Sequence, residues 1–149
     1  MIRRAVSGDI PACLVRGRAF FDESGFAAET SFDPDSLRAT LERLLVLPDG
    51  ILLVADYGGD LVGMAAGIAY PHYFNAHQKA AQELFWWVRQ EMRGGPAGVR
   101  LWRGLEDWAK RIGCTTLSMI CLPAINSPAE RVYQRSGYRP SERVYMKGL

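Results

Sequence analysis

Residues 86 to 101 read WWVRQEMRGGPAGVRL, and they join three kinds of local structure. Glu83 to Val88 has the bulky, β-compatible composition of a strand, with Trp86 and Trp87 directed to opposite faces of a sheet. Gly94, Gly95 and Gly98 then allow backbone conformations and close approaches that other residues resist. Past Pro96 the pattern turns helical. Leu101, Trp102, Leu105, Trp108, Ala109 and Ile112 form one apolar stripe, and Glu106 with Lys110 and Asp107 with Arg111 are favourable pairs four residues apart. Gly113 ends this helix, and Thr115 to Leu122 returns as a strand.

Outward from this unit the pattern continues. Ile2 to Val6 is a short strand, and Ser7 to Asp9 supply turn and capping residues. A helix follows with Ile10, Cys13, Leu14, Phe20 and Phe21 on one face, Gly17 interrupting it and Gly25 beyond its end. Asp33 before Pro34 opens a second helix, because the carboxylate can accept orphan amides and proline loses nothing at the first helical position. Leu37, Leu41, Leu44 and Leu45 are its buried stripe, and Pro48 with Gly50 stop it. Ile51 to Ala55 and Leu61 to Tyr70 flank a glycine turn and form a β-hairpin. An irregular piece, Pro71 to Ala76, leads into the strand at Glu83. Pro128 starts a short last helix behind Asn126 and Ser127, Gly137 ends it, and Tyr138 to Lys147 give one or two edge strands. With no repeat or linker, the order β, α, α, β, β, β, α, β, α, β predicts one α/β domain over residues 1 to 149.

The composition narrows the function. The 149 residues carry 48% hydrophobic and 23% charged residues with a net charge of +2, which describes a folded chain with no implied polyanion partner. A local excess of Arg89, Arg93, Arg100 and Arg103 is the exception. Cys13, Cys114 and Cys121 form no CxxC pair and suit a reducing cytoplasm. His72 and His77 lack ligand spacing, so no metal is expected. No apolar run has signal-peptide or membrane-spanning length, since Asp56, Gly58, Gly59 and Asp60 break the one from Ile51 to Tyr70.

Two segments could carry chemistry. The loop from Met92 to Gly98 opens onto the positive end of the third helix, which suits a pyrophosphate, with Arg93 and Arg100 able to add charge. A plain strand-to-helix turn is the other reading; neither GxGxxG nor a Walker loop is present. The second segment is NxxAxxxYxxxGY, made by Asn126, Ala129, Tyr133, Gly137 and Tyr138. Ala129 lies one helical turn from Tyr133 and leaves room beside the phenol. Tyr133 reads either as a packing residue or as a group beside a ligand.

In this order and on these elements, the two segments resemble the GNAT superfamily of acetyl coenzyme A-dependent N-acetyltransferases, and the likeness covers nearly the whole chain. Members carry a strand, a loop of the form RGxGxG or (Q/R)xxGx(G/A), a helix, a strand, and then NxxAxxxYxxxGF. Here Val88 matches the strand end, while Arg93, Gly94 and Gly98 match the loop. Pro96 departs from the pattern, replacing the middle glycine and removing an N–H. Tyr138 stands for the usual phenylalanine.

The resemblance implies a mixed, splayed sheet of about six to seven strands flanked by about four helices. It implies acetyl-CoA held by Trp86, Val88, Arg93, Gly94, Gly95, Ala97, Gly98, Val99, Asn126, Ala129 and Tyr133. The pantetheine arm would enter between parted strands and bond to backbone like an added strand. Tyr133 would protonate the departing thiolate. Glu83 would deprotonate an amine that attacks the thioester directly in a ternary complex, and otherwise is an ordinary solvated carboxylate; its replacement by Gln is expected to lower the rate most at low pH. Tyr70, His72 and Tyr73 would line the acceptor side or act as a lid over the core. The acceptor, a small molecule or peptide bearing a primary amine, is not legible. Two copies could pair at a free sheet edge near the carboxyl terminus. The rival readings are a degenerate fold that binds coenzyme A or a partner without turnover, favoured by Pro96, and a nucleic-acid-binding domain, opposed by the near-neutral charge.

Overall fold

Five strands in chain order, β1 Ile2–Arg4, β2 Gly50–Tyr57, β3 Asp60–His72, β4 Asn75–Val88 and β5 Cys114–Ser118, line up side by side as β1-β2-β3-β4-β5 in a computed structural model. The structure describes residues 1–122 and 129–149. The first three pairings are antiparallel and the last, β4 with β5, is parallel, so the sheet is mixed. A parallel pair needs a crossover, and the helix between these two strands supplies it.

Four helices cover the sheet: α1 Ile10–Ser24, α2 Pro34–Val46, α3 Pro96–Arg111 and α4 Ala129–Arg135. Each of the first three starts and stops where its sequence dictates. Gly25 closes α1 at φ 84°, in the left-handed region. Asp33 accepts from the amides of Asp35 and Ser36 at 3.2 Å, with Pro34 in the first turn of α2. Gly95 caps α3 and Pro96 opens it. The helices divide between two layers. Ile10, Cys13, Leu41 and Leu44 pack with Leu52, Val54, Met64 and Phe85 on one face of the sheet. Leu101, Leu105 and Trp108 pack with Ile51, Leu53, Val62 and Ala65 on the other. The alternation of β2 across its two faces divides Leu52 and Val54 from Ile51 and Leu53.

Gly17, which interrupts the helical pattern of α1, has a packing cause. A Cβ there would fall 2.3 Å from Cδ2 of Leu37, so the missing side chain lets α1 and α2 cross closely.

Three boundaries differ from the sequence reading. The piece from Pro71 to Ala76 is mostly strand: β3 runs to His72 and β4 begins at Asn75, with Pro71 opposite Lys79 and His72 opposite Asn75 across a register shift. Asn75 to Gln82 has little intrinsic strand preference, and pairing with β3 overrides that. β5 stops at Ser118 rather than Leu122. The segment from Tyr138 to Lys147 forms no strand among the described residues, and Val144, Tyr145 and Met146 are exposed. β propensity is expressed only through pairing and burial, and this run shows neither among the described residues. The sheet therefore has five described strands rather than six to seven.

Candidate functional site

The pairing of β4 with β5 lasts four positions, from Lys79 opposite Cys114 to Gln82 opposite Ser118, and then ends. Beyond it, Glu83 to Val88 keeps β3 on one side and has no strand partner on the other among the described residues. Arg89 donates its amide to the Val62 carbonyl at 2.8 Å. By alternation, Phe85 and Trp87 also turn toward β3, and Trp86 and Val88 present their backbone groups to the open side. A fork in the sheet is the result.

Glu83 sits at its base, 4% exposed. One carboxylate oxygen accepts the amide of Ile120 at 2.8 Å, across the gap that opens past Ser118. Burial pushes its pKa from 4.5 up to about 7, and the Ile120 hydrogen bond opposes that rise. The solvated-carboxylate reading does not describe this residue. A pocket of about 90 Å³ beside it is lined by Phe20, Phe26, Trp86, Ile120, Leu122 and Ala129, among others.

Tyr133 is 6% exposed in a cluster with Trp102 and Ala129. Its ring centroid lies 6.0 Å from Trp86, 6.1 Å from Trp102 and 5.5 Å from Tyr138. Its hydroxyl is buried without a hydrogen-bond partner among the described residues. Burial first, then the Glu83 charge, raises its pKa well above the ordinary phenol value. The phenol is therefore held protonated, its O–H without a partner among the described residues. Tyr133 does not itself line the pocket; Trp86 and Ala129 do, and both pack against it. Tyr138, in the place of the usual phenylalanine, accepts from the indole of Trp102 at 3.1 Å and donates to Glu106 at 2.9 Å, tying α4 to α3.

The loop into α3 is built around Trp86. The indole N–H donates to the Gly98 carbonyl at 3.1 Å, and a Cβ on Gly98 would meet that ring at 3.3 Å, so the glycine seats the start of α3 on the tryptophan. Gly94 takes φ 80°. Of the four amides a helix leaves without an internal acceptor, Gly95 reaches Met92 at 3.3 Å and Pro96 has none. Those of Ala97 and Gly98 face outward at the positive end, while the Ala97 side chain is wholly buried. Val99 packs beside the tyrosine cluster.

Arg93 differs from expectation. Its Nε donates to the Val88 carbonyl at 2.8 Å and its other end pairs with Glu23, so it braces the loop against α1 rather than offering a free charge. Of the acceptor-side aromatics, Tyr70 lies near the base of the fork, and His72 and Tyr73 lie apart from it. Tyr70 bonds weakly to Gln82 at 3.4 Å. His72 stacks on Tyr73 at 4.8 Å, at the tip of the β3–β4 ribbon. Along β3, His72 at the tip is five residues from Gly67, the partner of Glu83, about 17 Å at the usual rise. Asn126 lies outside the described residues.

Sequence reasoning missed Phe20 and Phe26 as pocket walls, Glu23 as the partner of Arg93 and Trp87, and Ile120 as the partner of Glu83. The strand period offered the only signal, by sending Trp87 toward α1 and Trp86 toward α3. Among the described residues no group of His, Cys, Asp and Glu could hold a metal, and no helix is long and apolar enough to cross a membrane.

A forked mixed sheet with a glycine loop feeding a helix at the fork defines an acyl-transferase class of fold. The model of the acetyltransferase (GNAT) family matches residues 18–138, and the chain belongs to that family. No curated protein sequence matches it. Among solved structures it is similar to a transcriptional regulator from Bacillus halodurans C-125, at 20% identity and TM-score 0.81, covering 100% of this chain and 99% of that one. It is also similar to the aminoglycoside acetyltransferase AAC(6')-Iy in complex with a bisubstrate analogue, at 17% identity and TM-score 0.80, covering 100% and 97%. A third is a predicted acetyltransferase with acetyl-CoA from Clostridium acetobutylicum, at 18% identity and TM-score 0.77, covering 100% and 96%.

Proposed function

We propose that this chain is an N-acetyltransferase that moves an acetyl group from acetyl-CoA to a primary amine by direct attack in a ternary complex, acting in the cytoplasm as one domain over residues 1 to 149. The fork carries the reading. It leaves the Trp86 backbone groups and the Val88 amide unpaired by a strand, beside a buried carboxylate and one side chain from a buried phenol whose O–H has no partner among the described residues. These features fit a slender acyl carrier. Two of the similar structures hold such a carrier or an analogue of it.

Acetyl-CoA, when bound, supplies an acyl group already activated as a thioester. Trp86 and the Val88 amide would bond its arm as an extra strand, and the Ala97 and Gly98 amides would meet its phosphates. Pro96 removes one donor and leaves the positive helix end intact. Arg93, Gly94 and Gly95 set the path of the loop, and Ala129, with Asn126 and Val99, would frame the arm. Glu83 would take the proton of the incoming ammonium, directly or through water. Its raised pKa suits that exchange near neutrality. Tyr133 would give its proton to the departing sulfur. The acceptor would reach the fork from the side of Tyr70, with His72 and Tyr73 at the far end of the ribbon.

A second reading, a fold that holds coenzyme A without turnover, is favoured by one observation: Tyr133 does not line the pocket. Calorimetry with acetyl-CoA, followed by a free-thiol assay over a panel of small amines and peptides, separates the two. Thiol release that depends on the amine and falls at least about a hundredfold in Tyr133→Phe supports catalysis. Binding with no thiol release from any amine supports the second reading.

A further inference from the structure

We propose that the flank of α3 facing β1 and β2 is a second binding site, for a small ligand carrying two or more phosphate groups. A groove of about 530 Å³ opens there, with Ile2 and Leu53 in its floor and Arg4, Arg100, Arg103 and Arg111 around it. The local structure explains the grouping. Arg100, Arg103, Asp107 and Arg111 follow one another at steps of three and four, so they form one stripe along α3. Gly104 brings that stripe down onto the sheet, since a Cβ there would fall 2.7 Å from Cδ1 of Leu53. Alternation on β1 puts Arg4 on the same face as Ile2, which packs against the α3 layer.

Charge then points to the occupant. Outside the groove Arg16, Arg18, Arg38, Arg89 and Arg93 each pair with a carboxylate, and Arg3, on the groove's own wall, pairs with Asp9 and Asp56. Arg4, Arg100, Arg103 and Arg111 in the groove have no ion-pair partner among the described residues, although Asp107 lies among them. Four guanidinium groups around one carboxylate repel each other in the empty groove, and an anion relieves that repulsion. Arginine matches phosphate in geometry, because its planar fork donates two parallel hydrogen bonds. Arg103 and Arg111 are eight residues apart on the helix, about 12 Å, a span suited to several linked phosphates rather than one. The net charge of +2 leaves no broad basic excess over the chain, which favours a short ligand over a nucleic-acid strand. The site is separate from the loop at the α3 N-terminus, because Trp102 and Val99, which pack with Tyr133, lie on a different flank of the helix.

The test is calorimetric titration of inorganic tripolyphosphate into the full chain at about 50 mM salt, with and without saturating coenzyme A, since phosphate contacts weaken steeply with salt. Binding is expected in both conditions. The double variant Arg103→Ala with Arg111→Ala, both exposed in the parent, should weaken it at least about tenfold while coenzyme A affinity stays unchanged. Adenosine triphosphate binding more tightly than tripolyphosphate would assign the source as a nucleotide whose base covers Ile2 and Leu53; equal affinity would assign an inorganic polyphosphate. No binding of either probe, displacement by coenzyme A, indifference to the double variant, or tighter binding of a single-stranded oligonucleotide would each overturn the proposal. A chain that binds tripolyphosphate but no coenzyme A would remove the acetyltransferase reading and leave this groove standing.

Discussion

Replacing Glu83 by Gln keeps the size of the side chain and an oxygen able to accept the Ile120 amide, and removes only the titration. Burial moves the carboxyl from 4.5 to about 7, so the folded chain holds a proton that the unfolded chain releases between those values. Stability contributed by this group is therefore full below pH 4.5 and is lost as pH rises to 7 and beyond. At about 1.4 kcal/mol per pKa unit, the loss is about 3 kcal/mol. The neutral amide of the Glu83→Gln variant carries no such penalty. Urea unfolding of both proteins from about pH 4.5 to 9 should show the variant gaining on the parent by about 3 kcal/mol across that interval, most of it below about pH 8. A stability difference that does not change with pH would refute the buried, titrating carboxyl. The same shift reverses the rate expectation for an ordinary carboxylate. A base that titrates near 7 works only above it, so the parent should outpace the variant most at about pH 8 and converge with it near about pH 5, which initial rates would check.

Further outcomes follow from single contacts. Tyr133→Phe removes a buried hydroxyl without a described partner, so chemical denaturation should show stability unchanged or raised by about 1 kcal/mol even where turnover falls. Gly63→Ala would put a Cβ 2.9 Å from the Trp87 carbonyl and 3.1 Å from Leu101, and thermal unfolding should show a loss of about 1–3 kcal/mol. Asp33→Ala strips the cap from α2 and should cost about 1 kcal/mol by the same measurement, while Asp33→Asn retains most of it.

Local signals reached far into this chain because they act over a turn or two of backbone. The Asp33–Pro34 start of α2, Gly25 behind α1 and the stripe of α3 were all legible, since capping and hydrophobic period are properties of neighbouring residues. So were the opposed tryptophans of β4. The WWVRQEMRGGPAGVRL stretch, taken with the tyrosine segment, was enough to indicate the family to which the chain belongs. What the sequence could not set was anything requiring a partner from far along the chain. Asn75 to Gln82 became strand because β3 was there to pair with it, and Tyr138 to Lys147 stayed unpaired among the described residues. The fork exists because β5 leaves β4 after four pairs, which only the assembled sheet displays. Glu83 looks in sequence like any polar residue on a strand. Only the closing of the layers around it removes its water, brings the Ile120 amide to its oxygen and moves its titration toward neutrality, because desolvation depends on every group packed nearby and on none of them alone.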